Sequence, residues 1–137
     1  MSVASKHARQ AAGVRVLIVE DTADTRALLK AVFESEGYEV LEAADGIEAV
    51  EVALAELPDA IIMDMSLPRI DGNTAVKIIR REPALSATPI VACTAHNKWE
   101  WRGKSIVAGC DAFITKPIDF AQLRSVLAQL LAQRRAS

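Results

Sequence analysis

Five short apolar runs, each followed by a longer amphipathic stretch, constrain this chain more than any other feature of it. "VRVLIVE" (14–20) is β-branched and nearly continuous in apolar residues, the pattern of a strand covered on both faces. "YEVLEA" (38–43) alternates and reads as a half-exposed edge strand. "DAIIMD" (59–64), "TPIVACT" (88–94) and "DAFIT" (111–115) are the third, fourth and fifth strands. Between the first two, "ADTRALLKAVFESEG" sets Leu28, Leu29, Val32 and Phe33 on one helical face and stops at Gly37. "ADGIEAVEVALAELP" opens on a capping box, Asp45 with Glu48, and continues a stripe of Ile47, Val50, Leu54 and Leu57 to Pro58. "GNTAVKIIRRE" is a third helix, closed by Glu82-Pro83. A fourth falls within "NKWEWRGKSIVAGC", where Gly103 weakens its middle. "DFAQLRSVLAQLLAQRR" is the last, with Asp119 as its cap and two arginines near the negative end of its dipole. Asp24, like Asp45 and Asp119, reads as a helix cap.

Strand and helix that alternate with short links give a parallel sheet with helices on both faces. The expected architecture is therefore α/β and doubly wound: five parallel strands and five helices in a single domain. At 137 residues with 51% hydrophobic content, the chain has the material for one full core. That domain is expected to span 14–134, between a flexible N-terminal tail (1–13, small, polar and basic) and a short C-terminal tail (135–137). The net charge of -2 speaks against a nucleic-acid binder held by bulk charge. No apolar run approaches the roughly 20 residues of a membrane span. Cys93 and Cys110 lack metal-type spacing, and Cys93 lies within an apolar run as a buried thiol. A cytoplasmic location is the default expectation.

In open parallel sheets, ligands bind beyond the carboxyl ends of the strands. Those ends carry Glu20-Asp21, Asp64, Thr94-Ala95 and Thr115-Lys116-Pro117. Acids gathered at one edge repel one another, and a hard cation relieves that repulsion. Magnesium accepts carboxylates, a carbonyl and waters. Asp21 and Asp64 are the natural direct ligands, Glu20 reaches through water, and the Ser66 carbonyl supplies another oxygen. Lys116, held extended before Pro117, can pair with an acid or hold a phosphoryl oxygen, and the Thr94 hydroxyl can donate to the same oxygen. Such a set suits phosphoryl transfer to a carboxylate.

"LIVED", "IIMDMSLPRIDG", "PIVACTAH" and "GCDAFITKPID", in that order, resemble the receiver domain of bacterial two-component response regulators over about residues 14 to 134. The resemblance implies a flavodoxin-like sheet with strand order 2-1-3-4-5. It implies that Asp64 accepts a phosphoryl group from a histidine kinase or a phosphotransfer protein. Glu20 and Asp21 would be the acidic pair for magnesium, and Lys116 the phosphoryl contact. Thr94, followed by Ala95, would be the switch hydroxyl. Phe113 would be the switch aromatic, reshaping the face made by the fourth helix, fifth strand and fifth helix; read alone, it is a core aromatic of a short strand. Ser66 and His96 would hold the positions that tune phosphoryl lifetime. Neither orients an attacking water well, so slow self-dephosphorylation is expected, although His96 reads equally as a loop residue.

Trp99 and Trp101 lie two apart, so on a helix they cannot share the core face, and one of them is a candidate partner anchor. The chain ends soon after the last helix, which suggests a stand-alone or excised receiver acting on a downstream protein; a homodimer is compatible with that. Neither nucleic acid nor membrane is expected as a partner. Three other readings stand beside it. One is a magnesium-dependent phosphohydrolase of the aspartyl-phosphate class, whose second acid two residues past the nucleophile is here Ser66. Another is a degenerate receiver serving as an adaptor without phosphorylation. The last is a flavin binder, against which "EDTADT" sets three acids where a phosphate loop would lie.

Overall fold

All five expected strands form, and every neighbouring pair runs parallel. The computed structural model describes residues 13–95 and 109–136. Along the chain these are β1 (Arg15–Val19), α1 (Ala23–Ser35), β2 (Glu39–Ala43), α2 (Gly46–Glu56), β3 (Ala60–Asp64), α3 (Gly72–Arg80), a 3-10 turn (Pro83–Leu85), β4 (Ile90–Thr94), β5 (Ala112–Thr115) and α4 (Phe120–Ala136). The sheet order is β2-β1-β3-β4-β5, the doubly wound, flavodoxin-like order. Four α-helices lie among the described residues. The further helix expected within 97–110 falls on residues outside them, as do His96, Trp99 and Trp101.

Successive strand residues point to opposite faces, and the core divides accordingly. Val16, Ile18, Ile62, Val91 and Ile114 pack with Leu29 and Phe33 of α1 and with Leu123, Leu127 and Leu131 of α4. Leu17, Val19, Ile61, Met63 and Ala92 pack on the other side with α2 and α3. β3 and β4 are buried along their whole length, which explains their unbroken apolar sequence. β2, at the edge, is only partly buried.

Most helix ends follow the sequence. The Asp45 carboxylate accepts the Glu48 N–H at 2.8 Å, and Glu48 reaches back to the Ala44 N–H at 3.0 Å. Asp119 accepts from Gln122 N–H at 3.1 Å. Gly37, at φ 96°, ends α1, and the Tyr38 N–H donates to the Phe33 carbonyl. Asp24 is a correction: the cap residue of α1 is Thr22, and Asp24 sits in the first turn, where its charge meets the positive end of the helix dipole.

Two apolar stripes also need correction. Leu28 is 51% exposed, while Leu29 and Phe33 are buried. In α2 the inward residues are Gly46, Ala49 and Ala53, and Leu54 and Leu57 point outward. The reason is a close approach. A Cβ on Gly46 would collide with the Ile70 carbonyl oxygen, so this end of α2 admits only small side chains against the chain that follows β3. Leu57 adopts a left-handed conformation (φ 48°) just before Pro58, because a following proline disfavours the helical region.

At the amino ends of the strands, acids serve the backbone. Asp59 accepts the Arg15 N–H at 2.8 Å, and Asp111 accepts the Ile90 N–H at 2.8 Å. Arg80, the last residue of α3, joins that edge. Its guanidinium donates to the carbonyls of Gly109, Leu85 and Thr88 and to the Asp111 carboxylate.

Candidate functional site

β1, β3, β4 and β5 end side by side, so parallel strand ends bring four distant segments to one edge. Asp64 is the last residue of β3, opposite Cys93, and Thr94 is the last of β4, opposite Thr115. Glu20 and Asp21 leave β1, and Lys116 follows β5. Glu20 and Asp64 are 5% and 3% exposed, whereas Asp21 faces solvent. One carboxylate oxygen from each of Glu20, Asp21 and Asp64 lies within 4.8 Å of the others. The Lys116 Nζ stands 3.1 Å from Asp64 Oδ1. The Ser66 N–H donates to that same oxygen at 2.9 Å.

The Lys116 N–H donates to the Thr94 carbonyl at 2.7 Å, which locks the end of β4 to the residue after β5. The Lys116–Pro117 peptide bond is cis. Thr94 is buried and Ala95 exposed. Phe113 is half-buried and packs on the face of the sheet that carries Met63 and Met65.

Charge in this cluster is unbalanced. Burial, the hydrogen bonds that protonated Glu20 can donate to the Asp64 and Asp21 carboxylates, and the Asp64 charge push Glu20 up to about 7, while the Thr22 N–H pulls the other way. For Lys116, burial pulls the ammonium down, but the Asp64 hydrogen bond and the Asp64 and Glu20 charges outweigh it, and its pKa lies above the ordinary value. One ammonium therefore faces three carboxylates. Among the described residues the available donors are hard oxygens, and one buried carboxyl is driven toward protonation. That set fits a magnesium ion. Glu20, Asp21 and Asp64 are the residues that could hold it. The Cys93 thiol is buried and pushed up to about 12, first by desolvation, so it is no competing soft ligand.

Sequence reasoning passed over one element of this site. Gly72, the first residue of α3, lies against the Asp64 peptide: a Cβ there would sit 2.8 Å from the Asp64 carbonyl oxygen, the Met65 Cα and the Met65 Sδ. The signal was present in the Asp71-Gly72 pair, since Asp71 caps α3 through the Thr74 N–H at 2.8 Å. Gly72→Ala is expected to cost about 1–3 kcal/mol in denaturant unfolding, because backbone atoms cannot yield as a side-chain end can. It is also expected to displace Asp64, and unchanged stability would contradict that packing.

The model of the response regulator receiver domain family matches residues 16–128. The response regulator PleD of Caulobacter vibrioides is 36% identical over 132 residues, 90% of this chain but 29% of PleD. This chain thus spans under a third of that relative's length. The polar-differentiation response regulator DivK of Brucella anthropi is 34% identical over 103 residues, 75% of this chain and 84% of DivK. Among solved structures, the receiver domain of the sensor histidine kinase PA1611 of Pseudomonas aeruginosa, with a magnesium ion coordinated in its active site cleft, is similar at TM-score 0.82 and 36% identity. That likeness covers 88% of this chain and 99% of that one. The Vibrio cholerae chemotaxis protein CheY4 matches at TM-score 0.82 and 30% identity, over 85% and 98% of the two chains. No helix among the described residues is long and apolar enough to cross a membrane.

Proposed function

Because the chain belongs to the response regulator receiver domain family, a family of phosphorylation-controlled signalling switches, we propose that Asp64 is its phosphoryl acceptor. The donor is a histidine kinase or a histidine phosphotransfer protein. The observation that carries this reading is the meeting of Glu20, Asp21, Asp64 and Lys116 at one strand edge.

An Asp64 carboxylate oxygen attacks the phosphorus of phosphohistidine. The phosphorus–nitrogen bond breaks, its electron pair returns to the imidazole, and an acyl phosphate forms on Asp64. The work of this chain is to position and to neutralise charge. Lys116 turns from Asp64 Oδ1 to a phosphoryl oxygen, and the Ser66 N–H steadies the carboxylate. Glu20, Asp21, Asp64 and the Ser66 carbonyl would hold a magnesium ion, which would supply further positive charge to the phosphoryl oxygens.

The Thr94 hydroxyl then moves toward a phosphoryl oxygen, and the Phe113 ring turns inward, which changes the surface that a downstream protein reads. Ser66 and His96, the latter outside the described residues, leave hydrolysis slow. Wild-type protein treated with a small acyl-phosphate donor and magnesium is expected to gain one phosphoryl group by intact mass. The same treatment in EDTA should give none. Uptake that ignores magnesium would count against the site.

Acidity gives a second test. Burial and the neighbouring Asp64 push Glu20 up to about 7 from its ordinary 4.5 in the folded chain without metal. The folded state therefore binds more protons than the unfolded chain between those values, and this group's stabilisation is present below 4.5 and lost as pH rises through 7. Metal-free protein is expected to lose on the order of 3 kcal/mol across that window, with magnesium offsetting the loss at the upper end. Conversely, magnesium competes with that proton, so its affinity should rise with pH until Glu20 is ionised. Calorimetric titration showing a flat or opposite trend would contradict the assignment.

A further inference from the structure

Arg26 is distant from the chemistry in every sequence motif, yet its guanidinium reaches the backbone of the acidic pair. Its Nη1 donates to the Glu20 carbonyl at 2.8 Å. Its Nε lies 3.4 Å from Glu42 Oε1, and Lys30 holds the other oxygen of that carboxylate at 3.4 Å. We infer that Arg26 is a positioning residue for the metal-binding pair, bridging the Glu20 carbonyl to the Glu42 carboxylate on edge strand β2. This rests on the reading of Glu20 and Asp21 as the acidic pair for magnesium.

The need for such a bridge follows from where β1 stops. The Val14 carbonyl accepts from β2 and the Arg15 carbonyl from the segment entering β3, so along β1 the Glu20 carbonyl falls on the β2 side. The β1–β2 pairing ends at Val19 and Ala43, and the Glu20 carbonyl lies past that last pair. A backbone carbonyl beside buried acids needs a donor, and Arg26 supplies it from the second turn of α1. The Glu20 N–H donates to the Ala43 carbonyl at 3.1 Å. The peptides before and after Glu20 are therefore each held, the first by β2 directly and the second through Arg26 and Glu42.

Charge alone predicts the reverse effect. A guanidinium near a cation site repels the cation, so a purely electrostatic residue here would weaken magnesium binding, and its removal would tighten it. Positioning and repulsion thus differ in sign. The fork geometry matters as well, because one planar guanidinium serves the carbonyl and the carboxylate together, whereas a lysine ammonium reaches one of them.

The test is calorimetric titration of magnesium into wild type, Arg26→Met and Arg26→Lys at fixed pH and ionic strength, with melting temperatures in EDTA for each. Arg26→Met should bind magnesium about 10-fold more weakly, the lower end of what loss of an outer-shell partner costs. Arg26→Lys should remain severalfold weaker than wild type. Equal or tighter binding by Arg26→Met overturns the inference, as does full recovery by lysine. A lowered melting temperature with unchanged magnesium affinity assigns Arg26 to stability alone and also overturns it. Should Arg26→Met fail to fold, Glu42→Gln keeps the guanidinium but weakens its anchor, and about threefold weaker binding is expected, unchanged binding overturning the bridge. Wild type that binds no magnesium would remove the acidic-pair reading itself, an outcome distinct from any difference among the variants.

Discussion

Asp64→Asn is expected to take up no phosphoryl group from a donor that modifies the wild type. The amide has nearly the same shape, and its oxygen can still accept the Ser66 N–H, so the end of β3 keeps its place. What disappears is the anionic oxygen proposed to attack phosphorus. Lys116 loses its closest carboxylate, and the site loses one of its three acids. Two consequences separate this from simple unfolding. Far-UV circular dichroism should match the wild type. The Glu20 titration should move down toward the ordinary range, since the Asp64 hydrogen bond and charge both hold it up. A variant that still gains a phosphoryl group would place the acceptor elsewhere.

The largest effect on stability is expected far from the site, at Arg80. Its guanidinium donates to the carbonyls of Gly109 at 2.7 Å, Leu85 at 2.9 Å and Thr88 at 2.6 Å, and to Asp111 at 2.9 Å. Asp111 in turn holds the first N–H of β4. One side chain thus ties the end of α3 to the starts of β4 and β5. Arg80→Met keeps the aliphatic stem but leaves several part-buried carbonyls without a donor, at about 1–3 kcal/mol each where water cannot replace it. A total loss of about 3–5 kcal/mol in denaturant unfolding is expected, among the larger effects of single substitutions. Lysine should recover little, because its single ammonium cannot serve acceptors on three segments. A loss below about 1 kcal/mol would mean that water satisfies those carbonyls as well as the guanidinium does.

Much of this architecture was legible in the residues. The strands announced themselves because β3 and β4 are buried on both faces and carry unbroken apolar runs that end in a polar residue. Parallel order then placed Asp64, Thr94 and Lys116 together without any knowledge of distances. The inward face of α2 was misread because hydrophobicity favours Leu54 over Ala53, whereas the buried face of this helix is made of Gly46, Ala49 and Ala53, with Ile70 pressed against Gly46. Gly46, Ala49 and Ala53 at near-helical spacing were the available clue. Arg80 left no trace, since its acceptors are mostly backbone carbonyls, which no side-chain pattern encodes. Arg26 was hidden for the same reason: its acceptor at Glu20 is a carbonyl. Asp59 and Asp111 show that strand-end acids also serve plain structural purposes, so the site was distinguished by its company of charges and not by acidity alone.

The central claim is tested most directly by borohydride reduction of the phosphorylated protein followed by peptide mass mapping. Hydride converts an acyl phosphate on aspartate to homoserine and releases phosphate. Homoserine at position 64 and nowhere else is the predicted result. A reduced side chain at Glu20 or Asp21, or a stable phosphate ester on Ser66, would contradict the account.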